Sequence, residues 1–305
     1  SKQITDGDMS NAEQRAQIKK GDGFIAALDQ SGGSTPKALG LYGVSEDAYS
    51  SDDELFDLIH GMRARIVKSS SFNGDRIVGA ILFEKTMDRD IDGTPTAEYL
   101  WNTKGVVPFL KVDKGLEEAV NGAKLMKPID GLDATLDRAL SKGIYGTKMR
   151  SVIDAANPAG IDPNDAQQFQ IGKRILAKGL MPILEPVVTM SIADMAEAED
   201  ILKAEILKKL DALPVGTEIM MKLSLPTKAN HYNDVIDHPK VLKVVALSGG
   251  YSRDEANALL AQNTGMIASF SRALTEGLSA KQSEAEFDAL LDSTIASIKA
   301  ASVAG

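Results

Sequence analysis

The sequence predicts an α/β fold, a (β/α)8 TIM barrel with flanking N- and C-terminal helices, and three observations support this prediction. Eight apolar segments of strand length recur along the 305 residues, and helical periodicity fills most of the intervals between them. The strand segments are apolar almost throughout, which is typical of parallel strands covered by helices. An open doubly wound sheet is the alternative, but the turn after the first strand, at residues 29–34, lacks the G-x-G-x-x-G spacing of a dinucleotide-binding fold.

The elements follow one another as strand, helix, strand, helix. The predicted strands are residues 23–29, 76–83, 107–113, 145–152, 181–188, 218–225, 241–249 and 265–273. The clearest predicted helices between them are residues 132–142, 166–178, 192–213 and 252–262. Two more helices, at 10–20 and 280–301, lie outside the eight units and are expected to cap or flank the barrel. Neither a linker nor a change of composition divides the chain, so a single domain over residues 1–305 is predicted.

Composition and charge exclude several classes of protein. With 34 basic and 43 acidic residues, the formal net charge is −9, so the surface as a whole repels nucleic acid and anionic lipid. The absence of cysteine excludes disulfides, thiol nucleophiles and Cys-ligated metals, and it favours a reducing compartment. The N-terminus lacks the apolar stretch of a signal peptide, and no apolar run approaches the ~18 residues of a membrane span. The chain is therefore predicted to be cytoplasmic, with neither nucleic acid nor membrane as a partner.

The sixth predicted strand carries a lysine among apolar residues. Alternation with a period of two places Lys222 on the same face as Met220 and Ser224, opposite a wholly apolar face that should pack against helices. Lys222 would then point into the barrel, where loss of hydration lowers the pKa of its ammonium group and leaves the free amine that a nucleophile needs. The alternative, from this strand alone, is a lysine at a strand end that extends to solvent.

Four further predicted strands carry charged side chains in the middle or at the carboxyl end. These are Asp29, the pair Lys111 and Asp113, the pair Lys148 and Arg150, and Glu185. For any single pair a structural salt bridge is the commoner explanation. Burying an isolated charge is costly, however, so five such strands together predict a hydrated, charged pocket at one end of the barrel. The carboxyl end is the face on which this fold carries its active sites.

Two sets of loops are suited to binding phosphate. The loops after the seventh and eighth strands occupy the usual phosphate position of the barrel. The segment after the first strand predicts a helix capped by Thr35 with Pro36 at its first position, and helix N-termini attract anions. Tight turns and an ordinary capped helix are the alternatives. The candidate residues are Ser248, Gly249, Ser271 and Arg272 on one side, and Ser31, Ser34, Lys37, Lys111 and Arg150 on the other.

Taken together, these segments resemble the class I fructose-bisphosphate aldolases, the metal-independent branch that works through a Schiff base. The resemblance runs from residue 21 to 273 and rests on eight fragments in order. They are GDGFIAALDQSGGS, GAILFE, GVVPFLKVDKG, YGTKMR, MPILEP, MMKLSL, LSGGYS and SFSRAL. It implies a TIM-barrel lyase that reversibly cleaves fructose 1,6-bisphosphate in glycolysis and gluconeogenesis, with a phosphorylated sugar as substrate and with neither cofactor nor metal.

The resemblance also implies a role for each site residue. Lys222 would form the Schiff base and Glu185 would act as general acid and base. Lys148 would help to keep the Lys222 amine neutral, and Asp29 would orient the C4 hydroxyl and take part in cleavage of the C–C bond. By the same resemblance, the site of the C1 phosphate contains Ser248, Gly249, Ser271 and Arg272, and that of the other phosphate contains Lys37, Lys111 and Arg150.

The chain departs from the animal and plant members of that family at several positions. Gln30 stands in place of a glutamate, Ala38 of an arginine, Val187 of a second glutamate and Phe270 of a tyrosine. Those members end in a mobile tail with a terminal tyrosine, and such a tail is not expected here, because the last tyrosine of these 305 residues is Tyr251. These differences favour a bacterial branch of the class.

Two other interpretations stay open at this point. The enzyme could act mainly on another ketose bisphosphate, such as sedoheptulose bisphosphate, or the chain could be a non-catalytic scaffold on the same frame. Barrels with flanking helices commonly assemble, so a homo-oligomer is expected.

Two parts of the sequence contain residues of the kinds that bind metal ions. Residues 88–99 begin like a calcium loop, but they end in Tyr99 instead of a bidentate glutamate. His60, His231 and His238 are predicted to be surface residues, with no role as metal ligands.

Overall fold

The computed structural model describes residues 6–31 and 34–304 and contains a barrel of eight parallel strands. The strands are β1 (Phe24–Leu28), β2 (Ile77–Leu82), β3 (Val107–Lys111), β4 (Gly146–Ile153), β5 (Met181–Val188), β6 (Ile219–Ser224), β7 (Val241–Leu247) and β8 (Met266–Ala268). Each pairs in parallel with the next, and the amide of Ala27 donates to the carbonyl of Phe270 at 3.3 Å, where the last strand meets the first. All eight predicted strands are confirmed.

Helices surround the barrel. They are α1 (Asp6–Lys20), α2 (Ser34–Leu41), α3 (Asp52–Lys68), α4 (Glu84–Met87), α5 (Thr96–Glu98), α6 (Leu132–Ser141), α7 (Pro158–Ala177), α8 (Met195–Ala212), α9 (Asn233–Ile236), α10 (Arg253–Leu260), α11 (Arg272–Thr275) and α12 (Glu284–Val303). A π-helical turn, Tyr99–Thr103, continues α5, and Ala123–Lys124 pairs antiparallel with the end of β4. Within the described part of the chain, no helix has the length and apolar character needed to cross a membrane.

The predicted start of α2 is wrong by a short distance. The helix begins at Ser34, so Thr35 lies in its first turn, fully buried, instead of capping it, and Pro36 is its third residue. The cause is a local turn. The Ser34 hydroxyl donates to the carbonyl of Ser31 at 2.7 Å and accepts from the Ser31 amide at 2.9 Å. Gly32 and Gly33, which belong to the predicted phosphate loop, lie outside the described residues.

Two apolar layers hold the barrel together, as the period-two alternation predicts. Met221, Leu223 and Leu225 pack outward in the layer beneath the helices, whereas Met220 packs inward. The interior layer is filled by large side chains from successive strands. It contains Ile25, Val78, Ile81, Val107, Phe109, Tyr145, Ile183, Met220, Leu242, Val245 and Ile267. The barrel is therefore a packed core and not a channel.

Helix α1 closes the amino-terminal end of this core. Ile18 is fully buried and packs with the interior layer, while the Gln17 amide donates to the carbonyls of Val78 and Gly105 at 2.8 and 2.7 Å. Arg15 holds Glu218 through two bonds of 2.8 Å. At the opposite flank, the Ser302 hydroxyl of α12 accepts from the amide of Ala268 at 3.0 Å. The flanking helices thus leave the carboxyl ends of the strands uncovered.

Gly146 is a position where the barrel tolerates no side chain. A Cβ there would lie 2.3 Å from the carbonyl oxygen of Met181 and 2.8 Å from the ring of Phe109. We expect Gly146→Ala to lower the free energy of unfolding by about 3 kcal/mol, measured by urea titration. Gly61→Ala is the matched control: a Cβ at that helical position meets nothing within 4 Å, so a gain of about 0.5–1 kcal/mol is expected. Equal effects of the two substitutions would contradict this account.

Asp165 makes stability depend on pH at the α7–α8 contact. It is fully buried, and burial raises its pKa from 3.8 to about 7, although Lys209 Nζ lies 3.3 Å from its Oδ2. Between these two pKa values the folded state holds a proton that the unfolded state has released, so stability falls as pH rises through this window. Asp165→Asn mimics the protonated carboxyl. It should match the parent near about pH 4 and exceed its free energy of unfolding by roughly 2–4 kcal/mol at about pH 8.

The neighbouring Asp162 provides the control for that experiment. A hydrogen bond from Lys209 lowers the pKa of this exposed carboxyl. The contribution of Asp162 to stability therefore increases as pH rises, whereas that of Asp165 decreases. Asp162→Asn should give no gain at pH 8. A gain from both variants would trace the effect to net charge and not to the burial of Asp165.

Candidate active site

A cavity of about 320 Å³ opens at the carboxyl ends of the strands. Eleven of the thirteen predicted site residues line it: Asp29, Ser34, Lys37, Lys148, Arg150, Glu185, Lys222, Ser248, Gly249, Ser271 and Arg272. The other two, Ser31 and Lys111, line an adjoining cavity of about 490 Å³, which shares Ser34 and Arg150 with the first. The structure therefore brings all thirteen predicted residues to one end of the barrel.

Lys222 lies on the inner face of β6 and is 3% exposed. Its Nζ donates to the Ser269 hydroxyl at 3.0 Å and lies 3.8 Å from Oε2 of Glu185. Burial lowers the pKa of this lysine, and the positive charge of Lys148 adds to that effect, while the Glu185 carboxylate opposes it. The side chain does not extend to solvent, so the alternative of a solvent-directed lysine is wrong.

Lys148, on β4, lies between two carboxylates, that of Glu185 on the neighbouring β5 and that of Asp29 after β1. Its Nζ lies 2.6 Å from Oδ2 of Asp29 and 3.3 Å from Oε1 of Glu185, and all three side chains are buried. Burial alone would lower the pKa of Lys148, but these carboxylates reverse the effect and hold it above its ordinary value. For Asp29, burial acts to raise the pKa, and Lys148 and Lys222 overcome this and lower it to about 2. The carboxylate of Asp29 is therefore ionised and Lys148 is charged.

The pKa values of the two buried lysines thus shift in opposite directions because the two side chains have different partners. Lys148 forms ion pairs with two carboxylates, whereas Lys222 has one carboxylate at the longer distance of 3.8 Å and a cation behind it. A fixed positive charge beside a lysine of lowered pKa is an arrangement that activates the amine as a nucleophile.

The loops after β7 and β8 form one wall of the cavity. Gly249 and Gly250 adopt left-handed backbone conformations, with φ of 61° and 101°, which lets backbone amides turn toward one point. The Arg272 guanidinium donates to the carbonyl of Gly250 at 3.2 Å, so the arginine is held at the rim of this loop. Ser248 is buried beside it. Such a wall offers both amides and a bidentate cation to an anion.

A second cationic group lies across the opening. The Lys111 ammonium donates to the Ser31 hydroxyl and lies 3.8 Å from Oδ1 of Asp113. The second oxygen of Asp113 accepts from the backbone amide of Arg150 at 3.0 Å, which leaves the exposed Arg150 side chain to line both cavities. Asp113 therefore contacts the Lys111 ammonium and the main chain of Arg150, and the Arg150 guanidinium is not paired with it.

Two residues of the site were missed by sequence reasoning. Ser269 is the hydrogen-bond partner of Lys222. The sequence could have identified it, because Ser269 directly follows β8 and lies on the strand face shared with Ser271. Arg63 is buried in the middle of α3 at 1% exposure and donates to the carbonyl of Gln30. A sequence signal for Arg63 exists as well, because it lies four residues after Ile59 and four before Val67, on the apolar face of α3.

The two possible metal sites stay apart from the cavity. In the described ranges, no group of three or more His, Asp or Glu side chains is arranged to hold a metal ion. The calcium-like segment forms a small hairpin in which Asp90–Ile91 pairs with Thr94–Pro95. The prediction that His231 and His238 are surface residues needs correction. Both side chains are only 11% exposed, and they face Asp200 and Asp211 at 3.5 and 2.8 Å.

The chain is similar to proteins of one known family. The model of the glycolytic family described as fructose-bisphosphate aldolase class-I matches residues 11–234. A curated relative from Synechocystis, fructose-bisphosphate aldolase class 1, is 56% identical over 293 residues, which are 96% of this chain and 98% of the relative.

Solved structures show the same fold. The fructose-bisphosphate aldolase of Plasmodium falciparum, in complex with TRAP and an inhibitor, superposes with a TM-score of 0.81 at 21% identity, over 100% of this chain and 97% of that one. A Corynebacterium glutamicum protein superposes with a TM-score of 0.53 at 12% identity, over 95% of this chain and 92% of that one.

Proposed function

The chain belongs to the class I fructose-bisphosphate aldolase family, and from this premise we propose that Lys222, Glu185, Lys148 and Asp29 carry out its reaction. The reaction is the reversible cleavage of fructose 1,6-bisphosphate to dihydroxyacetone phosphate and glyceraldehyde 3-phosphate through a lysine Schiff base, in glycolysis and gluconeogenesis. One observation carries the assignment of residues. Lys222 is a buried amine of lowered pKa on the cavity floor, beside a carboxylate and a fixed cation.

In the first half of the reaction, the free amine of Lys222 attacks the C2 carbonyl. The resulting carbinolamine loses water and becomes a protonated imine. Glu185 lies 3.8 Å from Lys222 Nζ, so it is placed to give a proton to the departing hydroxyl. Lys148 holds Glu185 and Asp29 in place, and its charge keeps the Lys222 amine neutral before attack.

In the second half, Asp29 accepts the proton of the C4 hydroxyl because its carboxylate is ionised. The electron pair of the C3–C4 bond moves into the iminium group and forms an enamine, and the aldehyde leaves. Protonation of the enamine at C3 and hydrolysis of the imine release the ketone phosphate and restore Lys222. The protonated imine serves as the electron sink for this cleavage.

We assign the two phosphates of the substrate to the two cationic walls. The loops of Ser248, Gly249, Ser271 and Arg272 would hold the C1 phosphate, and Ser31, Ser34, Lys37, Lys111 and Arg150 would hold the other. Lys37 and Arg150 line the same cavity as Lys222, and Lys111 lines the adjoining one. An acidic protein can therefore bind a doubly phosphorylated sugar where positive side chains are concentrated locally.

Borohydride trapping tests the proposed nucleophile. Reduction in the presence of dihydroxyacetone phosphate should attach the ketone to the peptide that contains Lys222, and activity should survive EDTA. Reduction without the ketone is the control and should leave that peptide unmodified. An adduct on another lysine would overturn the assignment of Lys222. Loss of activity in EDTA would contradict the metal-independent chemistry.

Three further expectations accompany this proposal. The enzyme is expected to work in the cytoplasm as one domain per chain and as a homo-oligomer, and sedimentation velocity would test its assembly. Its preference for fructose over sedoheptulose bisphosphate would be measured as the ratio of the two kcat/KM values.

A further inference from the structure

The Ser271 hydroxyl, on the proposed C1-phosphate wall, has a hydrogen-bond partner after β1, the strand next to β8. The side-chain amide nitrogen of Gln30 donates to Ser271 Oγ at 2.5 Å, and both residues line the cavity. Gln30 directly follows Asp29 at the carboxyl end of β1, so this bond joins the first and last strands of the barrel. The direction of the bond matters because a serine hydroxyl can accept and donate at the same time.

Arg63 fixes that direction. Its guanidinium, which has donors and no acceptors, donates to the main-chain carbonyl of Gln30 and lies 3.3 Å from the side-chain oxygen Oε1 of the same residue. A second bond, of 2.6 Å to the Thr86 hydroxyl, anchors the guanidinium in its buried position. Because only Oε1 can face these donors, the amide nitrogen of Gln30 must face Ser271.

The Ser271 proton is consequently free. The Ser271 side chain makes no capping hydrogen bond to α11, and among residues 6–31 and 34–304 its hydroxyl donates to no acceptor. With one lone pair taken by Gln30, the O–H bond is left to donate toward the cavity.

We infer that Gln30 and Arg63 are positioning residues that keep the Ser271 hydroxyl a hydrogen-bond donor to the substrate phosphate. This inference rests on the proposed function, because it takes the anion at Ser271 to be the C1 phosphate. Since the residue beside the phosphate is a neutral amide, it also adds no repulsive charge.

The test is a double-mutant cycle of Gln30→Glu and Ser271→Ala. A carboxylate at position 30 only accepts hydrogen bonds, so the Ser271 proton would turn to it and away from the phosphate. In the parent enzyme, Ser271→Ala should raise KM for fructose 1,6-bisphosphate about 10-fold, because a hydrogen bond to an anion is lost, and kcat should change little. In the Gln30→Glu background, the same Ser271→Ala change should raise KM less than about twofold, because that bond is already lost.

Gln30→Met is the control for loss of the amide alone. It removes the donor that positions the Ser271 hydroxyl without supplying an acceptor, so Gln30→Met by itself should raise KM severalfold, and Ser271→Ala should still raise KM more in this background than in Gln30→Glu. The repulsion caused by a charge at position 30 cancels within the cycle, because it is present with and without Ser271.

The possible outcomes separate this inference from the proposed function. If Ser271→Ala raises KM equally in the parent and in Gln30→Glu, the inference fails and the phosphate assignment stands. If Ser271→Ala leaves KM unchanged in the parent enzyme, the inference fails, and so does the assignment of Ser271 to the phosphate site. Borohydride trapping at Lys222 tests the nucleophile independently of either result.

Arg63 can be tested through its conservative variant. Arg63→Met should raise KM severalfold with a smaller effect on kcat, and Arg63→Lys, which keeps a donor for Gln30, should restore part of that loss. If Arg63 has only a structural role, Arg63→Met should lower the thermal midpoint and leave the KM of the folded enzyme unchanged. That result would overturn the assignment of Arg63 as a positioning residue. If Arg63→Met does not fold, the Gln30 cycle decides the inference by itself.

Discussion

Lys222→Met is expected to abolish turnover, with kcat lowered on the order of 10⁴-fold or more, because the reaction loses its covalent intermediate and the imine that accepts the electron pair. Methionine matches lysine closely in length and suits a buried strand position, so the fold should be retained. The measurement is steady-state cleavage of fructose 1,6-bisphosphate, together with borohydride trapping. The trapped adduct should disappear along with the activity.

Lys243 supplies a matched control for Lys222. It lies on β7, its pKa is likewise lowered by burial, and its Nζ contacts only the carbonyl of Lys19 at 3.4 Å among the described residues. It lies near the other end of the barrel from the cavity. Lys243→Met should keep both the activity and the adduct. If Lys222→Met retained the adduct, or if Lys243→Met lost it, the nucleophile would have to be sought elsewhere.

Much of the fold follows from local sequence patterns. The alternation of Met220, Lys222 and Ser224 with apolar residues is enough to place Lys222 inside the barrel, because side chains of a strand point to opposite faces in turn. The order of the strands also follows, since consecutive parallel strands joined by helices become neighbours. The predicted strand ends exceed the observed ones at several carboxyl ends, where Asp29 and Asp113 continue the chain into loops that carry the site.

The details of the site depend on distances that no single segment contains. Sequence reasoning brings Lys148, Asp29 and Glu185 to one end of the barrel, but only the fold decides that Lys148 lies 2.6 Å from Asp29 and that Lys222 is left 3.8 Å from Glu185. Arg63 shows the same limit. Helical periodicity places it on the apolar face of α3 beside Ile59 and Val67, but only the fold brings its guanidinium to the carbonyl of Gln30.

The opposite pKa shifts of the two lysines have a consequence for the pH dependence of the enzyme. Burial has the largest effect on the pKa of Lys222 and lowers it; Glu185 raises it, Lys148 lowers it and Asp29 raises it. Lys148→Met would remove the cation and leave both carboxylates facing Lys222. The pKa of Lys222 should therefore rise, a smaller fraction of its amine should be free at neutral pH, and the acid limb of kcat/KM should move to higher pH by at least about one unit.

The same substitution should destabilise the protein. Two buried carboxylates would lose their partner, which costs about 3–5 kcal/mol in the free energy of unfolding. Asp29 also contributes to the pH profile in the same direction, since its pKa of about 2 depends on Lys148 and would rise with the loss of that charge. Both groups would then reach their active states only at higher pH.

Lys148→Arg separates the charge of Lys148 from its shape. Arginine keeps the cation between the carboxylates, so the acid limb should stay within about half a unit of its original position even if kcat falls. The profile of kcat/KM against pH, recorded for the parent and both variants, decides the matter. An acid limb that does not move in Lys148→Met would mean that burial alone sets the pKa of Lys222. The Lys148 cation would then serve only to hold Asp29 and Glu185 in place.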